Sequence, residues 1–323
     1  MGVSCLAMET LNSMSIQVGL GERQTFGQKI YVDSMEKSGP AKVDEISPFV
    51  KPGRILDICA GAGAVTAGLT ARFPASEFVP IDFSGNMVER LKKRFSGTKN
   101  IDVVQADAVD FAYDKSFDTA IFVSALHEVY SGNGFDFSTV VQALHNVANN
   151  KNFKKGGRLI IRDGVMPEPE TLFVEPLNYF AYNRFLKFIN GFSAVKNVDF
   201  TFGKFNGNNF AVRNAPSFGE VERNNLLIKI GSQDTNEMLS KYHYAEENLP
   251  VELSEKFGIW TLNEYQKVLR MFGLKVVHAV SYLLPYLRDT HYSRDFKVYR
   301  LDNSGKLVPA PYPDSTMLLV GEK

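Results

Sequence analysis

A chain of 323 residues is long enough for one large domain, or for a domain carrying a sizeable insertion. Its 44% hydrophobic and 22% charged residues read as a soluble globular chain, and 36 basic against 36 acidic residues leave no net charge. That balance excludes a global electrostatic footprint for nucleic acid or an anionic membrane. Two cysteines, Cys5 and Cys59, exclude a disulfide framework and a cysteine-based zinc site, and they fit a reducing, cytoplasmic compartment.

The amino terminus lacks the basic start and long apolar core of a signal peptide. Gly2 followed by Cys5 matches a myristoylation start only loosely. No apolar run approaches the roughly 18 residues that a membrane helix needs. Residues 1–45 read as a polar, irregular segment, with "SGPAKVDEISPFV" (38–50) suggesting a short helix before the first strand. Strands and helices then alternate: strand 54–58, helix 64–73, strand 77–82, helix 84–95 with Ser84 as N-cap, strand 101–107, strand 117–125, helix 136–149 and strand 157–163. All these strands but the mixed "IDVVQAD" are apolar runs, as expected of parallel strands buried on both faces. Repeated βα units predict an α/β, doubly wound sheet with right-handed crossovers.

The rhythm stops after Asp163. Residues 164–260 hold Pro167, Pro169, Pro176, many aromatics and the Asn/Gly-rich "FGKFNGNNF". It resumes with a helix over 261–273, capped by Thr261 and stopped at Gly273. A strand from Leu274, a turn at Asn303-Ser304-Gly305 and a last strand in "TMLLVGEK" follow.

The stretch "RILDICAGAGAV" (54–65) places an acid, then small residues and two glycines, between a strand and a helix. Such a turn lets backbone approach a ligand closely, with helix amides facing it. The dinucleotide fingerprint fails because position 66 is threonine, and the Walker pattern is absent. Asp57, Asp82 and Asp107 instead end three successive strands at equal spacing. Carboxylates there suit a ligand bearing an amino group, a ribose diol and an exocyclic amine, all hydrogen-bond donors. A strand-end aspartate is also a common helix cap or turn residue.

With these residues in place, the chain resembles the class I S-adenosylmethionine-dependent methyltransferases. "LDICAGAGAV", "VPIDFSGNMVERLKKR", "VVQADAVDF" and "FDTAIFVSALHEVY" match the family's four motifs over about 46–163, and the closing elements match over 261–323. The resemblance implies a mostly parallel seven-stranded sheet with an antiparallel last strand. It implies a core of 46–163 and 261–323, with 164–260 as a lid that binds the acceptor. It further implies S-adenosyl-L-methionine as cofactor and S-adenosyl-L-homocysteine as product. On this reading Asp57 and the Gly61/Gly63 backbone hold the methionine part, Asp82 takes the ribose hydroxyls, and Asp107 with Ala108 reads the adenine. Phe83, Met87 and Ser124 complete the cofactor set. Cys59 departs from the family, which most often has glycine there; it reads as a small buried hydrophobe, not a nucleophile.

Methyl transfer needs proximity and orientation, sometimes with a base. Base candidates follow the fourth and fifth strands: Ser124, His127, Glu128 and Tyr130 in the one, Asp163 in the other. His127 has a suitable natural pKa, or it packs over the cofactor; Asp163 is an acceptor-binding carboxylate or half of an ion pair with Arg162. His127 and Asp163 are expected on the methyl side of the switch point, Asp82 and Asp107 on the adenosine side. The aromatics Phe173, Tyr179, Phe180, Tyr182, Phe185, Phe188 and Phe192 read as core of a helical lid, or less simply as a stacking wall. Five scattered histidines, His243 among tyrosines, argue against a metal site.

The leading expectation is a methyltransferase for a small or medium-sized acceptor, at O or N rather than C. No Asn/Asp-Pro-Pro-Tyr/Phe follows the fourth strand, and no Pro-Cys nucleophile is present. An RNA- or protein-directed enzyme is the alternative, supported by Arg288, Arg294, Lys297 and Arg300 and diluted by Asp289 and Asp295. A cofactor-binding protein without turnover is a third reading. Oligomeric state is not legible.

Overall fold

The computed structural model describes residues 25–194, 197–207, 209–215 and 226–323. Gly2 and Cys5, and Asn208 of the Asn/Gly-rich patch, lie outside the described residues. The first helix, α1 (Thr25–Ile46), already departs from the sequence reading. Gly39-Pro40 is a natural helix start, since proline lacks an N–H and fits the first turn. In the structure the helix runs through Pro40 and begins well before it.

Strand β1 (Arg54–Ile58) leads into α2 (Ala64–Arg72), β2 (Glu77–Asp82) and α3 (Gly85–Arg94). β3 is only Val104–Gln105, with an isolated bridge from Ile101 to Phe78, shorter than the expected 101–107. β4 (Phe117–Val123) is followed by two helices, α4 (Leu126–Gly132) and α5 (Phe137–Ala148), and β5 (Phe153–Gly164) begins earlier than its apolar run. Ile55, Leu56, Ile58, Ile121, Phe122, Ile160 and Ile161 are 0–1% exposed, which is why β1, β4 and β5 read as unbroken apolar runs. β1 pairs in parallel with both β2 and β4, and β4 in parallel with β5. α3 turns Met87, Val88 and Leu91 inward, and α5 turns Val140, Ala143, Leu144 and Val147 inward. Asp136 caps α5 by accepting the Ser138 amide at 2.8 Å, while Ser84 sits at the start of α3 without a side-chain cap.

The insertion differs from a mostly helical segment. It holds β6 (Thr171–Pro176), α6 (Tyr179–Gly191), β7 (Phe200–Asn206), β8 (Asn209–Val212), β9 (Leu227–Gly231), α7 (Ser232–Tyr242) and α8 (Leu249–Leu253). Next come α9 (Leu262–Met271) and β10 (Lys275–Tyr282), a helical stretch over 285–295, β11 (Phe296–Leu301), β12 (Leu307–Pro309) and β13 (Thr316–Glu322). Thr261 and Glu264 form the expected reciprocal cap of α9, at 3.3 and 2.8 Å, and Gly273 closes it at φ +76°. β11 and β12 form the hairpin expected around Asn303-Ser304-Gly305.

Seven strands form one sheet in the order β10-β13-β5-β4-β1-β2-β3. β13 is antiparallel to β5. Lys323 exchanges backbone bonds with Gly156 and Gly157 at one end, and Val165 donates to Ser315 at the other. Six strands form a second, antiparallel sheet in the order β12-β11-β6-β9-β7-β8. By its contacts the chain divides into two units. One runs to Arg162 and adds Leu269–Val277 and Val320–Lys323; the other is Asp163–Val268 with His278–Leu319.

The second unit packs the aromatics foreseen in the sequence. Tyr182, Phe185 and Phe188 of α6 meet Phe202, Leu172, Val174, Ile228 and Ile230 of the sheet in one buried cluster. Phe180 instead is 54% exposed. The unit also buries an ion pair: Lys241 Nζ lies 2.5 Å from Glu237, both within 2% of full burial. Glu237 accepts the amides of Phe257 and Gly258 at 3.1 and 2.6 Å, and Lys241 stands 3.7 Å from the Phe257 ring centre. Among the described residues, no helix is long and apolar enough to cross a membrane.

Candidate functional site

The turn after β1 is built from three left-handed residues, Cys59 (φ 61°), Gly61 (φ 55°) and Gly63 (φ 81°). A Cβ on Gly63 would meet Leu91 and Phe95 at 2.7 and 2.8 Å, so this glycine admits α3 against the turn. A Cβ on Gly61 would meet Met35 of α1 at 3.1 Å.

The carboxylates at the strand ends have different surroundings. Asp57 is buried and accepts the Thr66 hydroxyl at 2.5 Å. Burial, against that hydrogen bond and with the help of Asp82, raises its pKa to about 7. Asp82 is 6% exposed, and its two oxygens take the Gly61 and Ser84 amides at 2.8 and 2.9 Å. Burial raises its pKa, and those amides partly oppose the rise. Asp107 is exposed and accepts the Val109 amide at 2.9 Å, while Ala108 is buried. Asn146 of α5 holds this loop by donating to the carbonyls of Ala108 and Val109. Beside Asp82, Phe83 is 51% exposed and Met87 is buried.

Ser124 follows β4 as Cys59 follows the adjacent β1, and it too is left-handed, at φ 54°. Its amide donates to Arg162 at 2.7 Å, and Arg162 pairs with Glu45 at 2.7 Å. Asp163 therefore does not supply that ion pair; alternate residues of a strand face opposite ways. Asp163 is buried and accepts the Gly164 amide at 2.7 Å. It also helps burial raise the pKa of the Tyr265 phenol. His127 and Glu128 are half-buried in the first turn of α4.

Burial raises the Cys59 thiol pKa, and the charges of Asp82, Glu128, Asp107 and Asp57 raise it further. Cys59 is half-buried rather than the buried hydrophobe expected, and its raised pKa disfavours the nucleophilic thiolate. Every residue of the expected cofactor set, and His127, belongs to the first unit; Asp163 opens the second. Sequence reasoning missed Thr66, Met35 and Arg94. Thr66 lies in the first turn of α2, where nothing in the pattern marks it as Asp57's partner. At the other proposed surface, Arg288 pairs with Asp289 and Arg294 with Asp295, so two of the four basic residues are neutralised locally.

Residues 55–151 match the family model of a methyltransferase domain (Methyltransf_25). The ubiquinone/menaquinone biosynthesis C-methyltransferase UbiE of Geotalea daltonii is 31% identical over 158 residues, covering 46% of this chain and 62% of that protein. The UbiE of Desulfotalea psychrophila is 32% identical over 132 residues, covering 40% and 49%. The demethylmenaquinone methyltransferase of Staphylococcus aureus is 29% identical over 150 residues, covering 44% and 54%. The chain spans less than two thirds of the length of these curated relatives.

Proposed function

This chain carries a class I S-adenosylmethionine-dependent methyltransferase domain, and from that premise we propose that the protein transfers a methyl group to a small or medium-sized acceptor. The observation that carries the reading is Asp82. An ionised carboxylate has about four acceptor sites. Gly61 and Ser84 take two, which leaves two for a ribose diol. Exposed Phe83 offers a ring beside them for the adenine, with Met87, Asp107 and Ala108 completing that end. Asp57, the Gly61/Gly63 turn and Ser124 serve the methionine end.

The cofactor, when bound, supplies an electrophilic methyl group on a sulfonium. The chain's part is positional and electrostatic. The negative charges of Asp82, Glu128 and Asp107, all felt at the Cys59 thiol, favour a cationic ligand over its neutral product. His127 is the candidate proton acceptor and Asp163 the candidate acceptor-binding carboxylate.

Relatives named as C-methyltransferases put carbon beside oxygen and nitrogen as the acceptor atom. The RNA-directed alternative is weakened by the local pairing of Arg288 and Arg294. The test is mass spectrometry of a host extract incubated with the protein and methyl-labelled S-adenosylmethionine. A labelled small molecule is expected. Label only in RNA or protein would favour the alternative, and cofactor binding without any labelled product would favour a binding protein.

A further inference from the structure

The carboxyl-terminal half of α1 is fixed to the first unit. Val43 and Ile46 are buried, and Glu45 pairs with Arg162 at 2.7 Å. A Cβ on Gly68 would fall 2.7 Å from Val43, and one on Gly39 would fall 3.2 Å from Ala64, so two glycines bring α1 and α2 together.

The turn bearing Met35 and Glu36 sits on the glycine turn. The Met35 thioether occupies the space beside Gly61 that a side chain there would need, with Sδ and Cε 3.1 and 3.2 Å from the Cβ position. Glu36 pairs with Arg94, whose Nη1 also donates to the Ala62 carbonyl at 3.2 Å. The glycine that gives the backbone its close approach thus faces a methionine of the same chain.

Between the fixed half and the covering turn stands Gly39-Pro40. Proline offers no N–H, so the Glu36 carbonyl lacks its donor one turn on, and the residue before a proline disfavours the helical region. The continuous helix is the state observed, and a proline also suits the first turn of a helix that begins at Gly39-Pro40.

We propose that Met35 is an affinity-determining residue of the cofactor site: it closes over Gly61, and cofactor binding displaces it as α1 yields at Gly39-Pro40. The proposal rests on the cofactor reading of the glycine turn. Its energetic content is that part of the binding free energy is spent in opening the site, which lowers apparent affinity by the open fraction. Methionine suits the role because its unbranched thioether is easily repacked.

The test is made on the whole chain. Calorimetry with S-adenosylhomocysteine should find Met35→Ala binding roughly threefold to tenfold more tightly than wild type. Met35→Leu, close in volume, should remain near wild type. Pro40→Ala, which restores the missing helical donor, should slow association about threefold or more in stopped flow. A readout independent of affinity is peroxide oxidation of Met35 followed by peptide mass spectrometry. The ligand there is a cofactor analogue with an amine in place of the sulfonium, so that it does not consume peroxide. Met35 should be oxidised at least about twofold faster with the analogue bound. Weaker or unchanged binding by Met35→Ala, or slower oxidation with ligand, would overturn the gate while leaving cofactor binding intact. No binding by wild type would overturn the cofactor reading, and this proposal with it.

Discussion

Asp82 and Gly61, 21 residues apart, are joined by a 2.8 Å hydrogen bond from amide to carboxylate that locks the end of β2 onto the turn after β1. Asp82→Ala leaves the Gly61 and Ser84 amides without their acceptor, at about 1–3 kcal/mol each. Asp82→Asn keeps one acceptor oxygen and should cost less. S-adenosylmethionine affinity should fall roughly tenfold to a hundredfold in the alanine variant. Urea denaturation and calorimetry on the same preparations check both effects. A variant that lost stability and kept full affinity would remove Asp82 from the cofactor site.

Asp57 predicts a pH dependence of stability. Its folded pKa, about 7, lies above the ordinary 3.8. The folded state then binds the proton more tightly than the unfolded chain. This contribution to stability is full below about pH 4 and is lost as pH rises towards 7. Asp57→Asn keeps an acceptor for Thr66 and removes the titration. It should flatten the urea midpoint between pH 4 and 7 and raise it at pH 8. An unchanged slope would assign the dependence to other groups.

Cys59 and Gly63 share the left-handed region and should respond oppositely to substitution. Cys59→Gly relieves about 1–2 kcal/mol of backbone strain and returns about 0.5–1 kcal/mol in unfolded-chain entropy. A small net stabilisation is expected. Gly63→Ala adds strain and a clash with Leu91 and Phe95, and should cost roughly 2–5 kcal/mol. Thermal denaturation of the two variants separates them. The Cys59 thiol, raised among four carboxylates, should react with iodoacetamide at pH 8 more slowly than an ordinary thiol.

In the second unit, Glu237→Ala strands the buried Lys241 ammonium and frees the amides of Phe257 and Gly258. A loss of about 3–5 kcal/mol is expected. Adding Lys241→Met should recover a large part of it, since an apolar side chain fits between Phe192 and Phe257. Chemical denaturation of the single and double variants forms the cycle. No recovery would mean that the amide contacts carry the whole effect.

For the acceptor, His127→Ala and Asp163→Asn are compared for cofactor dissociation constant and methylation rate. A proton-transfer or acceptor-orienting role lowers turnover, by about 10²–10⁴-fold for a base, and leaves cofactor affinity nearly intact. Equal losses in rate and affinity would move both residues into the cofactor shell.

The βα core was legible because its strands are buried on both faces. "RILDI" and "FDTAIFV" can be little else between turn signals; Asp82 ends β2 and Asp57 is last but one in β1, whereas Asp107 lies two residues past β3. β3 was overestimated because Asp102 and Gln105 interrupt its apolar residues, and Asp107 lies beyond its end. α1 was hidden by Pro40, a start signal through which the helix continues. The second sheet was missed although "FTFGKF" alternates Phe200 and Phe202 with Thr201 and Gly203. Its strands pair across long separations, and the helical spacing of Tyr182, Phe185 and Phe188 dominated the segment. At the site, the strand ends were visible, whereas Met35, Thr66 and Arg94 reach the turn from other elements by tertiary contacts that no local pattern encodes.

β6 lies inside the second sheet with β9 on one side and β11 on the other. Val174 opposes Ile228 across one ladder and Val298 across the other, more than twice as far along the chain. During synthesis the partner strand β9 emerges soon after β6, whereas β11 follows only with residues 296–301. In that interval it presents a bare strand edge to other nascent chains, which is a template for mispairing. Refolding yield should therefore fall with protein concentration, and a chaperone that shields this edge should act before residues 296–301 leave the ribosome.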